Sequence, residues 1–165
     1  MGHVPPIGFR LLALASALSA WALVAVGDVV RVTESGLGCP DWPLCEGGVV
    51  PGERRAPVIE YSHRATAAVV AILVVATALR ALRRRGPLLA GVLPAAAAAA
   101  QVPIGIALVL TSDRSDAHSA LEMLHVAGAG AVWASLVGLA TAVGRAPLRG
   151  ARAGSQARPA PAALS

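Results

Sequence analysis

The chain has 165 residues, a net charge of +5 and a mean hydropathy of +0.66. Only 14% of its residues are charged, against about 25% in soluble domains, so it is too apolar to be disordered. It is also too long for a lone anchor and short enough for one domain. All 14 basic residues are arginine, but they form no stripe with interleaved aromatics, which excludes a nucleic-acid binder. The composition points to an all-α membrane protein.

Four stretches are long and apolar enough to cross about 30 Å of hydrocarbon as helices. They run over about 10–27, 57–80, 87–111 and 119–144. The uncharged runs among them are 11–27, 86–112 and 123–144; the second stretch, apolar over 57–79, carries charge near its start, at Glu60 and Arg64, with His63 beside them. Arg10 precedes the first span. Arg80, Arg83, Arg84 and Arg85 lie between the second and third. Arg145, Arg149, Arg152 and Arg158 follow the fourth, so one side of the membrane sums to +9. The loops joining spans one to two and three to four sum to −4. The positive-inside rule therefore predicts a four-helix transmembrane bundle over 1–146 with both termini cytoplasmic and the long first loop outside a prokaryotic cell membrane. The tail, 147–165, is rich in Ala, Arg, Pro and Gly and is predicted to be disordered. An alternative for the first span is a cleaved signal peptide, which leaves the first loop outside as well. Pro94 and Pro103 are expected to kink the third span, and no clear internal repeat relates the two halves.

Ionisable groups inside a span are costly and are candidates for function. Glu60 and His63 are three residues apart and share a helix face. His125 lies in the fourth span. Taking span two to begin at Pro57 and span four at Ser119, both histidines sit six residues in, about 9 Å below the outer surface. Two imidazoles at matched depth on helices running in the same direction can ligate one metal, and haem iron takes axial histidines. The competing reading is that each is a satisfied packing residue. His118, two turns before His125, competes as a ligand but falls at the water boundary, and His3 is a solvated terminal residue. Glu60 is either a partner for Arg64 at a helix start or a proton donor and acceptor beside a cofactor.

The two cysteines, Cys39 and Cys45, fall in the loop predicted to face the oxidising side, which favours a disulfide over a zinc site or a redox CxxC motif. The closed loop is short, and either a structural staple or a redox-active pair fits it.

Residues 31–45 (RVTESGLGCPDWPLC) closely resemble the first outer loop of the haem A synthase (CtaA) family, and 59–64 (IEYSHR) resemble the start of its second helix. Residues 101–105 (QVPIG) are similar to its third helix, and His125 takes the place of its fourth-helix histidine. The resemblance implies oxidation of the methyl at porphyrin position 8 of haem O to the formyl of haem A, for terminal oxidases. It implies His63 and His125 as axial ligands of haem iron, Glu60 as the catalytic carboxylate and Cys39–Cys45 as the outer-loop disulfide. Haem b would be a cofactor and haem O the substrate. Arg31 and Arg64 would pair with haem propionates, with snorkelling at the boundary as the plainer reading.

Typical members of that family have eight spans in two four-helix halves, and this chain resembles the N-terminal half. A homo-oligomer or a second half-length chain would supply the rest, and haem O synthase is an expected partner. The alternative within the same pathway is a non-catalytic haem carrier in oxidase assembly, which would not need Glu60. A quinone-linked thiol oxidase would need a second cysteine pair. An electron-transfer cytochrome would need a histidine pair on the inner side, and neither is present.

Overall fold

The structure, a computed structural model, describes residues 5–83, 88–111 and 116–145, the side chains of 88–90 excepted. The tail predicted over 147–165 lies outside the described residues, as do Arg84 and Arg85. Four helices account for the regular structure: α1 (Ile7–Val32), α2 (Arg55–Arg83), α3 (Leu88–Leu110) and α4 (Asp116–Arg145). Helix is the form expected of such apolar stretches, because in hydrocarbon every backbone N–H and C=O must be satisfied within the segment. All four are long and apolar enough to cross a membrane, which marks the chain as an integral membrane protein.

The ends follow local chemistry. α1 begins behind Pro6, whose fixed φ suits a helix entry. It closes at Thr33, whose hydroxyl donates 2.6 Å to the Val29 carbonyl. α4 carries Asp116 in its first turn and Arg145 in its last, each complementing the helix dipole. Except for α3, which matches the predicted span closely, the helices extend past the apolar runs, because helical pairing continues into the interfacial zone. α3 runs unbroken through Pro94 and Pro103.

Each helix packs against two others: α1 on α2, α2 on α3, α3 on α4 and α4 on α1. The diagonal pairs, α1 with α3 and α2 with α4, bring no described Cα atoms within 8 Å of each other. The result is an up-down-up-down square. One end carries Arg10, Arg80, Arg83 and Arg145; the other carries the 33–54 loop.

The packed core lies toward the arginine end. Ala17, Ala20, Val70, Val74, Val132 and Leu136 form one buried cluster; Phe9, Ala13, Ala81 and Leu139 form a second. A polar bridge joins α1 to α2 at this level. Ser16 Oγ and Thr77 Oγ1 are 2.9 Å apart, both buried, and Ser16 Oγ also donates to the Leu12 carbonyl at 2.9 Å. Toward the loop end, beyond Ala20, Val70 and Val132, none of the described residues of α1, α2 and α4 is buried except Pro57 and Glu60. That half of the bundle is loosely filled.

Candidate functional site

The 33–54 loop folds back onto the first turns of α2. Gly38 makes this possible. A Cβ on it would lie 2.4 Å from the Ala56 carbonyl carbon and 2.7 Å from Pro57 N, so only glycine allows the approach. Cys39 and Cys45 form a disulfide and both are buried. Inside the ring, the Asp41 carboxylate accepts the backbone N–H groups of Glu46 at 2.7 Å and Gly47 at 2.8 Å. Glu46 and Gly47 have positive φ, and this carboxylate holds the turn they make.

Arg64 ties this loop to the helix beneath it. Its Nε donates to Glu60 Oε1 at 3.0 Å, one turn earlier on α2. Its terminal nitrogens donate to the carbonyls of Asp41 at 2.7 Å, Leu44 at 3.0 Å and Cys39 at 2.7 Å. The guanidinium fork thus grips three points of the disulfide loop and one carboxylate. Glu60 is buried at 5% exposure, so this partner offsets the cost of a carboxylate out of water.

His63 and His125 lie eight and nine residues from the starts of α2 and α4, so their depths still match to within one residue. α2 and α4 are diagonal in the square, and the two imidazoles are near enough to interact electrostatically. Each ring rests on a glycine of the preceding helix. A Cβ on Gly27 of α1 would lie 3.2 Å from His63 Cε1, and one on Gly105 of α3 would lie 3.5 Å from His125 Cε1. The four helices therefore each bring one residue to this layer.

Neither imidazole has a hydrogen-bond partner among the described residues, and Nδ1 of both is sealed from solvent. A buried ring nitrogen without a partner is costly, and a metal would use the lone pair. Among the described residues no group of three or more His, Cys, Asp or Glu is placed to hold a bare metal ion. Two imidazoles from diagonal helices suit haem instead, since the porphyrin supplies the other four ligands. The glycine seats are consistent with that fit.

Arg31 and Arg64 differ in setting. Arg64 is engaged as described. Arg31 is exposed in the last turn of α1, one turn beyond Gly27 and on its face. His118 sits at the loop end of α4. Its Nδ1 is 3.3 Å from Thr111 Oγ1, and its Nε2 is 3.7 Å from Glu122 Oε1.

Sequence reasoning had no role for Gly27, Gly105 or Glu122. Gly105 falls within the 101–105 motif, but nothing in the motif says what it touches. Glu122 stands three residues before His125, the spacing of Glu60 to His63, and that signal was available in the sequence.

The fold defines a four-helix membrane protein with a disulfide loop over one end. Comparison with known proteins relates part of the chain to the haem pathway. Residues 10–57, which include most of α1 and the loop, match the COX15-CtaA family, described as cytochrome oxidase assembly protein. The chain is 41% identical over 75 residues to the heme A synthase of Exiguobacterium sibiricum, covering 42% of this chain and 25% of that protein. It is 38% identical over 79 residues to the heme A synthase of Bacillus pumilus, covering 47% and 26%. It is 34% identical over 132 residues to the protoheme IX farnesyltransferase of Haloarcula marismortui, covering 78% and 27%. The chain thus spans about a quarter of the length of these curated relatives. No solved structure matches it. The resemblance to haem A synthases seen in the sequence is thus shown over part of the chain.

Proposed function

We propose that this chain acts in haem A biosynthesis as a haem A synthase-type oxidoreductase, converting the C8 methyl of haem O to the formyl of haem A for terminal oxidase assembly. The observation that carries the reading is that His63 and His125, on diagonal helices, each lie against a glycine and each lack a hydrogen-bond partner among the described residues. The two histidines would hold haem iron. When bound, haem supplies the oxidative chemistry, whether as haem b cofactor or as haem O substrate.

The chain's own residues have separate tasks in this reading. Glu60 holds or releases a proton at its carboxylate, one turn from His63, while the Arg64 fork fixes its orientation. We assign a propionate contact to Arg31 rather than Arg64, because the guanidinium of Arg64 is already committed to Glu60 and three loop carbonyls. The docked disulfide loop covers Glu60 and limits water. The loop faces the outside and both termini the cytoplasm, as the arginine asymmetry supports.

Two partners follow. A second copy or another half-length chain would complete the assembly. A farnesylating enzyme would deliver the substrate. Support for the latter is that a protein named protoheme IX farnesyltransferase contains a stretch similar to 78% of this chain.

The test is haem analysis in a host lacking its own haem A synthase but supplied with haem O synthase. The wild type is expected to yield haem A or its hydroxylated intermediate. Glu60→Gln should retain haem without producing haem A. His63→Ala and His125→Ala should lose haem. Bound haem with no oxidised product from the wild type would favour a carrier, and no haem at all would refute the site.

A further inference from the structure

The two helical hairpins, α1–α2 and α3–α4, repeat one arrangement. In the first, Gly27 lies five residues before the end of α1 and seats His63, with Glu60 three residues before that histidine. In the second, Gly105 lies five residues before the end of α3 and seats His125, with Glu122 three residues before it. Each carboxylate stands about 4.5 Å of helix rise outward of its imidazole. Each is paired with a cationic or cationisable group four residues away: Arg64 for Glu60 at 3.0 Å, His118 for Glu122 at 3.7 Å.

The halves differ in their access to water. Glu60 and Arg64 are sealed under the loop, with side chains 7% and 14% exposed. The Glu122 side chain is 40% exposed, and His118, at 19%, lies between it and Thr111 at the end of α3. A carboxylate fixed by a guanidinium exchanges protons poorly, because arginine does not give one up. A carboxylate beside an imidazole at a water boundary exchanges them readily.

Building on the haem-site reading above, we propose that Glu122 is a second carboxylate of this site, serving the His125 side as Glu60 serves the His63 side, and that, as the more exposed of the two carboxylates, it exchanges protons with water directly while His118 orients it. In the exchange, hydronium at the membrane boundary gives a proton to the Glu122 carboxylate, leaving water and a neutral carboxylic acid, and the reverse step returns it. One proton crosses and no electrons move. The 3.7 Å separation from His118 Nε2 is that of an ion pair rather than a hydrogen bond, so the imidazole orients the carboxylate without relaying its proton.

The experiment is reduced-minus-oxidised infrared difference spectroscopy on the haem-loaded full chain, which needs no turnover. The wild type is expected to show a carboxyl band that shifts in heavy water. That band should vanish in Glu122→Gln, persist in Glu60→Gln, and return displaced in Glu122→Asp, with the haem absorption spectrum unchanged throughout. In His118→Gln the band should remain and exchange with heavy water as in the wild type, because Glu122 is itself the more exposed of the pair. Identical difference spectra in wild type and Glu122→Gln would overturn the proposal. Loss of haem from both Glu122 variants would also overturn it, by making the carboxylate structural. Wild-type chain without any haem absorption would instead refute the haem site itself, which is visible before any variant is compared.

Discussion

The Arg64 clamp gives the most quantitative prediction. Replacing Arg64 with Met removes four hydrogen bonds at 2.7–3.0 Å from one guanidinium and strands a carboxylate that is only 5% exposed. Those bonds share one donor group, so their energies do not simply add. The governing magnitude is the cost of leaving one half of a buried ion pair unpartnered, about 3–5 kcal/mol. Solvent screening reduces it little, because the Arg64 and Glu60 side chains are 14% and 7% exposed. The loss falls on the docking of the loop. Cys39 and Cys45 are 0% and 1% exposed, so a reductant reaches the disulfide only when the loop opens. At about 1.4 kcal/mol per tenfold, Arg64→Met should raise the open population, and with it the rate of reduction by an impermeant thiol, by about a hundredfold or more. Arg64→Lys keeps a charge near Glu60 but cannot fork to three carbonyls, and should fall between. The double variant Arg64→Met with Glu60→Gln should recover part of the loss, because no buried charge is then stranded. A reduction rate for Arg64→Met within about threefold of wild type, less than 1 kcal/mol, would refute the clamp.

Other contacts predict graded effects. Gly27→Ala puts a Cβ 3.2 Å from His63 Cε1 and should cost about 1–3 kcal/mol with a matching fall in haem occupancy. Gly105→Ala meets its imidazole at an ordinary 3.5 Å and should change little, so equal effects on bound haem would refute the seating argument. Gly38→Ala cannot be accommodated at 2.4 Å from the Ala56 backbone, and should expose the Cys39–Cys45 disulfide to reduction even with Arg64 intact. At the other end, Ser16→Ala alone leaves Thr77 Oγ1 without its cross-helix partner and should lower stability by about 1 kcal/mol. Ser16→Ala with Thr77→Val should cost less than the sum of the single changes, as read from thermal unfolding in detergent.

The number and placement of the helices were legible because charge marks their ends. A span must be free of charge and a loop need not be, so the sign of each loop also separated the two ends of the bundle. The two histidines were singled out by counting residues as depth, and in the structure they stand eight and nine residues into their helices. What was not legible was rotation about each helix axis. In a soluble bundle a polar face reports that rotation, but here lipid-facing residues such as Leu18, Val69 and Leu124 are as apolar as the core. Nothing in the sequence therefore said that Gly27 faces His63 or that Gly105 faces His125.

The same limit hid the repeat. Compared residue by residue, the hairpins share a glycine and a Glu-x-x-His turn, too few positions to register as similarity, and the loops that join them differ greatly in length. The repeat becomes visible only as pairings between helices. It also explains why the site lies where packing is loose. The clusters around Leu136 and Phe9 hold the square together toward the arginine end without help from a cofactor. The loop end relies on small residues, a disulfide and the Arg64 fork, and there Nδ1 of both imidazoles is buried without a partner among the described residues. A bundle packed evenly along its length would be more stable and would have no such site. The trade is visible in one residue type: glycine at 27 and 105 gives up side-chain packing at the positions where an imidazole must be held.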